Sequence, residues 1–216
     1  PEGVNTRTIN GIIVPDGTAA SVAFFNAGYY LNELEFTVGE DGVATIGLRL
    51  DKTIGSNDYV VVGEWKLWYM GDPGAGVVEQ DVSDLIVNNN FDPARGDKNT
   101  STIEGWTTTT LNGYKQNTAS YNKNTFSLSQ KLTGLPKGKY KVTVHTFYRA
   151  GSYEEEEANI NSGVDTHLAK FYAETSEKTF EKAVMNLSEG GVTDAADVPE
   201  GVNTRTINGI IVPDGT

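Results

Sequence analysis

The chain has 216 residues, enough for one large domain or one domain with an appendage, and 38 % hydrophobic with 10 % aromatic residues is the composition of a packed chain. A net charge of −12, from 29 acidic and 17 basic residues, repels nucleic acid and anionic membranes and argues against both as partners. Without cysteine there are no disulfides, cysteine zinc sites or thiol catalysis, a usage that fits bacterial surface proteins and cytosolic ones alike. No apolar run reaches the length of a membrane span and no signal peptide is visible; the opening Pro1, in place of an initiator methionine, suggests a processed or trimmed chain.

In chain order, the first stretch is PEGVNTRTINGIIVPDGT (1–18), which returns without a substitution at 199–216. Residue 199 repeats residue 1, so the spacing is 198, the number of residues left when one copy is set aside. Ile9, Ile12, Ile13 and Val14 supply the apolar positions of a buried strand or ordered loop. Thr18 is placed to cap a helix over 19–27, with Val22, Phe24 and Phe25 toward the core and Gly28 as its stop. LEFTV (34–38) and ATIGLRL (44–50) read as strands, and GEDG (39–42) between them predicts a hairpin. In YVVVGEWKLWYM (59–70), Trp65, Leu67 and Tyr69 alternate with Glu64, Lys66 and Trp68, so one of the two sets is core. FSLSQKL (126–132), YKVTVHTFYR (140–149) and KFYAET (170–175) are further strands. The polar stretch 150–168, with Glu154 to Glu157 in a row, predicts a long exposed loop. Many short strands with Gly- and Asn-rich turns point to an all-β antiparallel β-sandwich, a jelly roll, with one short helix.

The order of these elements looks rotated. DVSDLIVNNNFD (81–92) has the look of a domain's first strand and loop, yet it follows the linker-like GDPGAG (71–76) in mid-chain. Read from about residue 81 to 216 and then from 19 to 71, the chain resembles the galactose-binding-like β-jelly-roll modules of surface and secreted proteins in gut Bacteroidetes. LIVNNNFD, the GW at 105–106, FSLSQKLTGLPKGKYKVTVHTFYRAG, KFYAET, the stretch from NGIIVPDGT to ATIGLRL, and EWKLWYMG carry the likeness. The resemblance implies that residues 1–72 form the C-terminal half of the jelly roll, 73–80 a linker and 81–216 the N-terminal half. The duplication then marks either a window on a tandem array of near-identical modules or a circular permutant with an overlapping segment.

Such modules often accompany glycoside hydrolases, whose chemistry requires two positioned carboxylates. No spacing among the acids singles out a pair, and His145 and His167 show neither metal spacing nor a Ser-His-Asp pattern, so the chain does not read as an enzyme. Sugar binding requires aromatic faces beside Asn, Asp, Arg or Gln at strand ends and in loops. Tyr121, Asn122, Tyr148, Arg149, Asn57, Asp58 and Tyr59 are the candidates. The competing reading puts Tyr148 in the core and gives Arg149 the task of pinning a loop through backbone carbonyls. Trp106 reads as a core plug. Asn90, Asp92 and Asp97 in NNNFDPARGD offer oxygen ligands for a structural calcium, although no EF-hand loop is present. The leading expectation is a non-catalytic carbohydrate-binding-like module, extracellular or on a bacterial cell surface, with a glycan as partner. The alternatives are a structural repeat that self-associates through the duplicated segment, and an ancillary domain of a glycoside hydrolase.

Overall fold

The alternation along residues 59–71 organises the molecule, because the strand formed there is the centre of one of two packed sheets. The computed structural model describes residues 4–72 and 79–200, together with the backbone of strands at 204–207 and 210–213. In chain order these are β1 (Thr6–Ile9), β2 (Ile12–Pro15), α1 (Thr18–Asn26), β3 (Leu31–Val38), β4 (Val43–Leu50) and β5 (Tyr59–Gly71). Four two-residue strands follow: β6 (Gln80–Asp81), β7 (Gly96–Asp97), β8 (Thr102–Ile103) and β9 (Thr107–Thr108). Next come β10 (Gly113–Lys115), β11 (Thr118–Asn122), β12 (Phe126–Thr133), β13 (Gly138–Arg149) and α2 (Tyr153–Asn161). The last are β14 (Ala169–Thr175), β15 (Thr179–Ala183), β16 (Thr204–Ile207) and β17 (Ile210–Pro213).

The first sheet runs β10-β11-β5-β13-β3, with β6 on β5, and the second runs β15-β14-β4-β12-β9, all antiparallel. They pack as an all-β sandwich. Each sheet mixes strands from the first 72 residues with strands from beyond residue 79. Trp65, Leu67, Val142 and Val144 from one sheet meet Ile46, Leu48, Leu128 and Phe171 from the other, all buried. The Trp65 set is therefore the core set. Trp106 plugs the same core, its ring 5.0 Å from that of Trp65 and 5.5 Å from that of Phe91.

A second apolar cluster lies on the other face of the first sheet. There Val61 and Phe147 point away from the sandwich interior and are covered by Phe24 and Phe25 of α1, by Tyr30, and by Ile9 and Val14 of the β1–β2 hairpin. The hairpin turns on Asn10 (φ 48°) and Gly11 (φ 81°), the left-handed pair that a two-residue loop requires. It docks by backbone pairing of Ile13 with Val192. Gly191 permits that approach, since a Cβ there would sit 2.5 Å from the Ile13 carbonyl oxygen.

Several expectations are corrected. β3 and β4 form no hairpin: β3 pairs with β13 and β4 with β12 and β14, so the turn at 39–42 carries the chain from one sheet to the other. A tight-turn sequence reverses the chain without requiring its two arms to pair. Thr18 lies inside α1 rather than capping it; Gly17 is the N-cap and offers no side chain. Residues 82–92 contain a single 3-10 turn, Ser83–Leu85, and no strand. The glutamate run lies in a helix, α2, because Ser152 and Glu155 form a reciprocal capping box and Glu154, Glu155 and Glu156 favour the positive end of the helix dipole. Glu156 is fully buried and accepts the Ala150 and Ser188 N–H groups at 2.9 and 3.1 Å. Residues 73–78 of the expected linker lie outside the described residues.

Candidate functional site

The residues expected to bind sugar fall into two groups, and both serve the fold. Tyr121 is 2 % exposed, its ring stacked on Phe126 at 3.9 Å and its hydroxyl 2.6 Å from that of Thr108. Asn122 is held through the backbone, its N–H donating to Asn112 Oδ1 at 2.7 Å, while its own amide oxygen is buried without a partner among the described residues. The second group is drawn together by the pairing of Arg149 with Tyr59 across β13 and β5. Buried Asp58 accepts the Ile54 and Gly55 N–H groups and the Tyr148 hydroxyl, all within 2.9 Å. Tyr148 is fully buried, and that burial, with Asp58 beside it, pushes its hydroxyl far above the ordinary tyrosine range. Arg149 donates to the carbonyls of Gly151 and Asn57 at 2.8 and 3.0 Å, and its guanidinium lies over the rings of Tyr59 and Tyr153. The Asn57 side chain turns to Ser56. This constellation pins a loop. Tyr121 and Tyr148 have no surface left for a ligand.

The expected calcium ligands are likewise committed or apart. Asp92 caps the turn Pro93–Arg95 by accepting the Ala94 N–H at 2.9 Å, and Asp97 accepts the Asn99 N–H at 2.8 Å. Asn90 faces a different part of the surface, described next. Among the described residues no group of three or more His, Asp or Glu side chains is placed to hold a metal ion.

One open groove lies on the solvent side of the first sheet, beside the second apolar cluster. Its origin is a bulge. β5 and β13 are in register at Val62–Thr146 and again at Trp65–Val144, so Gly63 and Glu64 together oppose His145. The extra residue lets Val62 and Trp65 both face the core and sends Glu64 and Lys66 outward, a re-aiming that bulges commonly perform. Gly63 is obligatory there: a Cβ would lie 2.7 Å from the Phe25 ring.

This bulge floors a groove of about 480 Å³. Its walls carry Asn26 from the end of α1, Asn90, and Gln116 with Asn117 from the β10–β11 turn. None of these four amides bonds to another described residue. Gln116 and Asn117 have φ of 53° and 57°, the mirror-image turn that suits the twist of a hairpin. Left-handed backbone is costly for glutamine, and here it presents both amides to the groove. A second depression, of about 240 Å³, shares Glu64, Lys66 and His145 and continues across the sheet to Glu33 and Trp68. His145 Nδ1 bonds to the Tyr29 carbonyl at 2.9 Å, and Lys66 lies 3.6 Å from Glu64. Lys141 sits over the Trp68 ring and pairs with Glu79. The charges on the floor are of both signs and in part self-neutralised.

Sequence reasoning missed this site because its amides come from three separated segments with no shared spacing. One signal was available: the hydrophobic alternation of β5 slips by one at Gly63–Glu64. No protein-family model matches the chain, and no curated protein or solved structure is significantly similar to it.

Proposed function

We propose that the protein is a non-catalytic glycan-binding module and that the groove over the β5 bulge is its site. The observation that supports this most directly is the set of unengaged amides: Asn26, Asn90, Gln116 and Asn117 each offer a donor and an acceptor to one open groove. A chain of hydroxyls, each both donor and acceptor, is the ligand chemistry such a wall fits. Trp68, in the neighbouring depression, adds an aromatic ring whose face Lys141 already overlies, so the amides carry the reading. Mixed, internally paired charge on the floor favours a neutral polysaccharide over a polyanion. The resemblance to galactose-binding-like modules of secreted and surface proteins supports the same reading and, with it, an extracellular location.

Affinity electrophoresis through gels containing soluble neutral polysaccharides tests it. The double variant Gln116→Gly/Asn117→Gly keeps the left-handed turn and removes both amides. Wild type should be retarded by at least one polysaccharide, and the variant should lose about tenfold or more in retention, each lost hydrogen-bonding group counting for roughly 1 kcal/mol. Its melting temperature should stay within about 2 °C. Retention that the double variant leaves untouched would move the site elsewhere, and no retention on any glycan would sink the reading.

A second reading, that the chain is a repeat unit, is favoured by the 198-residue spacing of the identical segments. The closed sandwich and its docked hairpin are built within residues 4–198.

A further inference from the structure

The hairpin slot on the outer face of the first sheet has two possible occupants in one chain. Residues 4–15 fill it: Ile9 and Val14 are fully buried, and Ile13 exchanges two backbone hydrogen bonds with Val192 at 2.7 and 3.0 Å. Polar contacts fix the rest, with the Asn10 N–H donating to Glu157 Oε1 at 2.9 Å and the Tyr153 hydroxyl to Asp16 Oδ1 at 3.1 Å. Every hairpin residue in these contacts recurs 198 positions later, as Ile207, Val212, Ile211, Asn208 and Asp214. The second copy also has the same backbone pairing. Thr204 faces Pro213 and Ile207 faces Ile210, as Thr6 faces Pro15 and Ile9 faces Ile12.

We propose that residues 202–213 replace residues 4–15 in this slot within the same molecule, so that one fold exists in two chain frames. The reach is short. Val198 already packs in the cluster that holds Val4, the Tyr29 hydroxyl bonds to the Asp197 carbonyl at 3.4 Å, and three residues separate Val198 from Val202, the counterpart of Val4. At the other end the first copy leaves through Gly17, whose left-handed φ of 87° has open space around it and whose capping position holds no side chain to the helix. An identical sequence makes identical contacts, so the two frames differ only in how the chain enters and leaves. Tethering raises the local concentration of the second copy to the millimolar range, which favours self-donation over donation to a neighbouring molecule at ordinary protein concentrations.

Three variants of the full chain test this: Ile9→Asp, Ile207→Asp and the pair together. A charged group in the slot blocks whichever copy carries it. If both copies fit, each single variant closes one of two frames, a twofold change in the folded population that lowers the melting temperature by about 1–2 °C. The double variant empties the slot and lowers it by more than about 8 °C. Limited trypsin cleavage reads the frame: the Ile9→Asp chain is cut after Arg7 and protected at Arg205, and the Ile207→Asp chain shows the reverse. If Ile9→Asp alone is as damaging as the pair and Ile207→Asp is silent, the second copy never enters the slot and the proposal falls. It also falls if Ile9→Asp stays folded only as concentration-dependent oligomers by light scattering, because the donor is then a neighbouring molecule.

Discussion

Two clusters of polar side chains lie beside the first sheet, one of charged and aromatic residues and one of amides. One, around Asp58, Tyr59, Tyr148 and Arg149, closes upon itself: both Asp58 carboxylate oxygens, the Tyr148 hydroxyl and the Arg149 guanidinium have protein partners, and the Tyr59 and Tyr153 rings flank the guanidinium. The other, around Asn26, Asn90, Gln116 and Asn117, bonds to nothing else described. The difference teaches that residue type at a strand end does not distinguish a binding site from a structural clasp. What differs here is where the groups point: the first cluster stabilises the native state through its own hydrogen bonds, whereas the exposed amides of the second face an open groove and can exchange water for a ligand.

The comparison breaks most sharply at Asp58. Asp58→Ala removes the acceptor of two backbone N–H groups and of a buried tyrosine hydroxyl, and should cost about 3 kcal/mol, lowering the melting temperature by roughly 6–12 °C. Thermal unfolding by circular dichroism measures it. Glycan retention of the protein that stays folded should be unchanged. A variant of unaltered stability that fails to bind would reverse the assignment of the two clusters.

Tyr148→Phe tests the same clasp more gently. It removes one hydroxyl, leaves the ring packing intact, and leaves Asp58 its two backbone donors. The expected loss is about 1–2 kcal/mol, or roughly 2–8 °C, again with retention unaffected. Had Tyr148 been a ligand contact, the order would invert, with retention falling and stability holding.

How much of this was readable in advance follows from the range of the forces involved. The sandwich was legible because period-2 burial is a local property: the alternation of Trp65, Leu67 and Tyr69 with Glu64, Lys66 and Trp68 declares that one set is core, and the structure makes it the Trp65 set. The partners of each strand were less so, since Gly39–Gly42 signals a reversal but not which sheet receives the next strand. The second helix was hidden by its charge, although Ser152 and Glu155 carry the local capping signal that an eye fixed on four glutamates passes over. The burial of Glu156 was not readable, because its donors, Ala150 and Ser188, meet only in three dimensions. The groove failed for the same reason. Asn26, Asn90 and Gln116 are assembled by the sheet, and only the slip at Gly63 betrays locally that the surface there is unusual.

The smallest effect expected concerns a third polar cluster, more exposed than the one around Asp58. His167 lies between two carboxylates, Nδ1 2.8 Å from Asp165 and Nε2 2.8 Å from Glu189, and Glu189 also accepts the Asn186 N–H. Partial burial works against the charged ring, but the hydrogen bonds to Asp165 and Glu189 outweigh it and raise the imidazole above its ordinary 6.5. A group whose folded value is raised adds stability that is complete below its unfolded value and disappears as pH climbs through the folded one. The clasp should therefore strengthen the fold at about pH 6 and contribute little at about pH 9. In the opposite direction, Asp165 is held below the usual carboxylate range by the His167 backbone N–H and ring, so that part is lost only as strong acid protonates it. With the ring 39 % exposed, solvent screens the pair, and His167→Gln should lower the melting temperature by only about 1–3 °C at about pH 6, with the difference vanishing toward about pH 9. Melting curves of both proteins across that range decide it. A gap that widens with rising pH would mean that the ring is neutral in the fold and acts as a spacer, and the cluster would then join the structural clasps rather than stand apart as a titrating one.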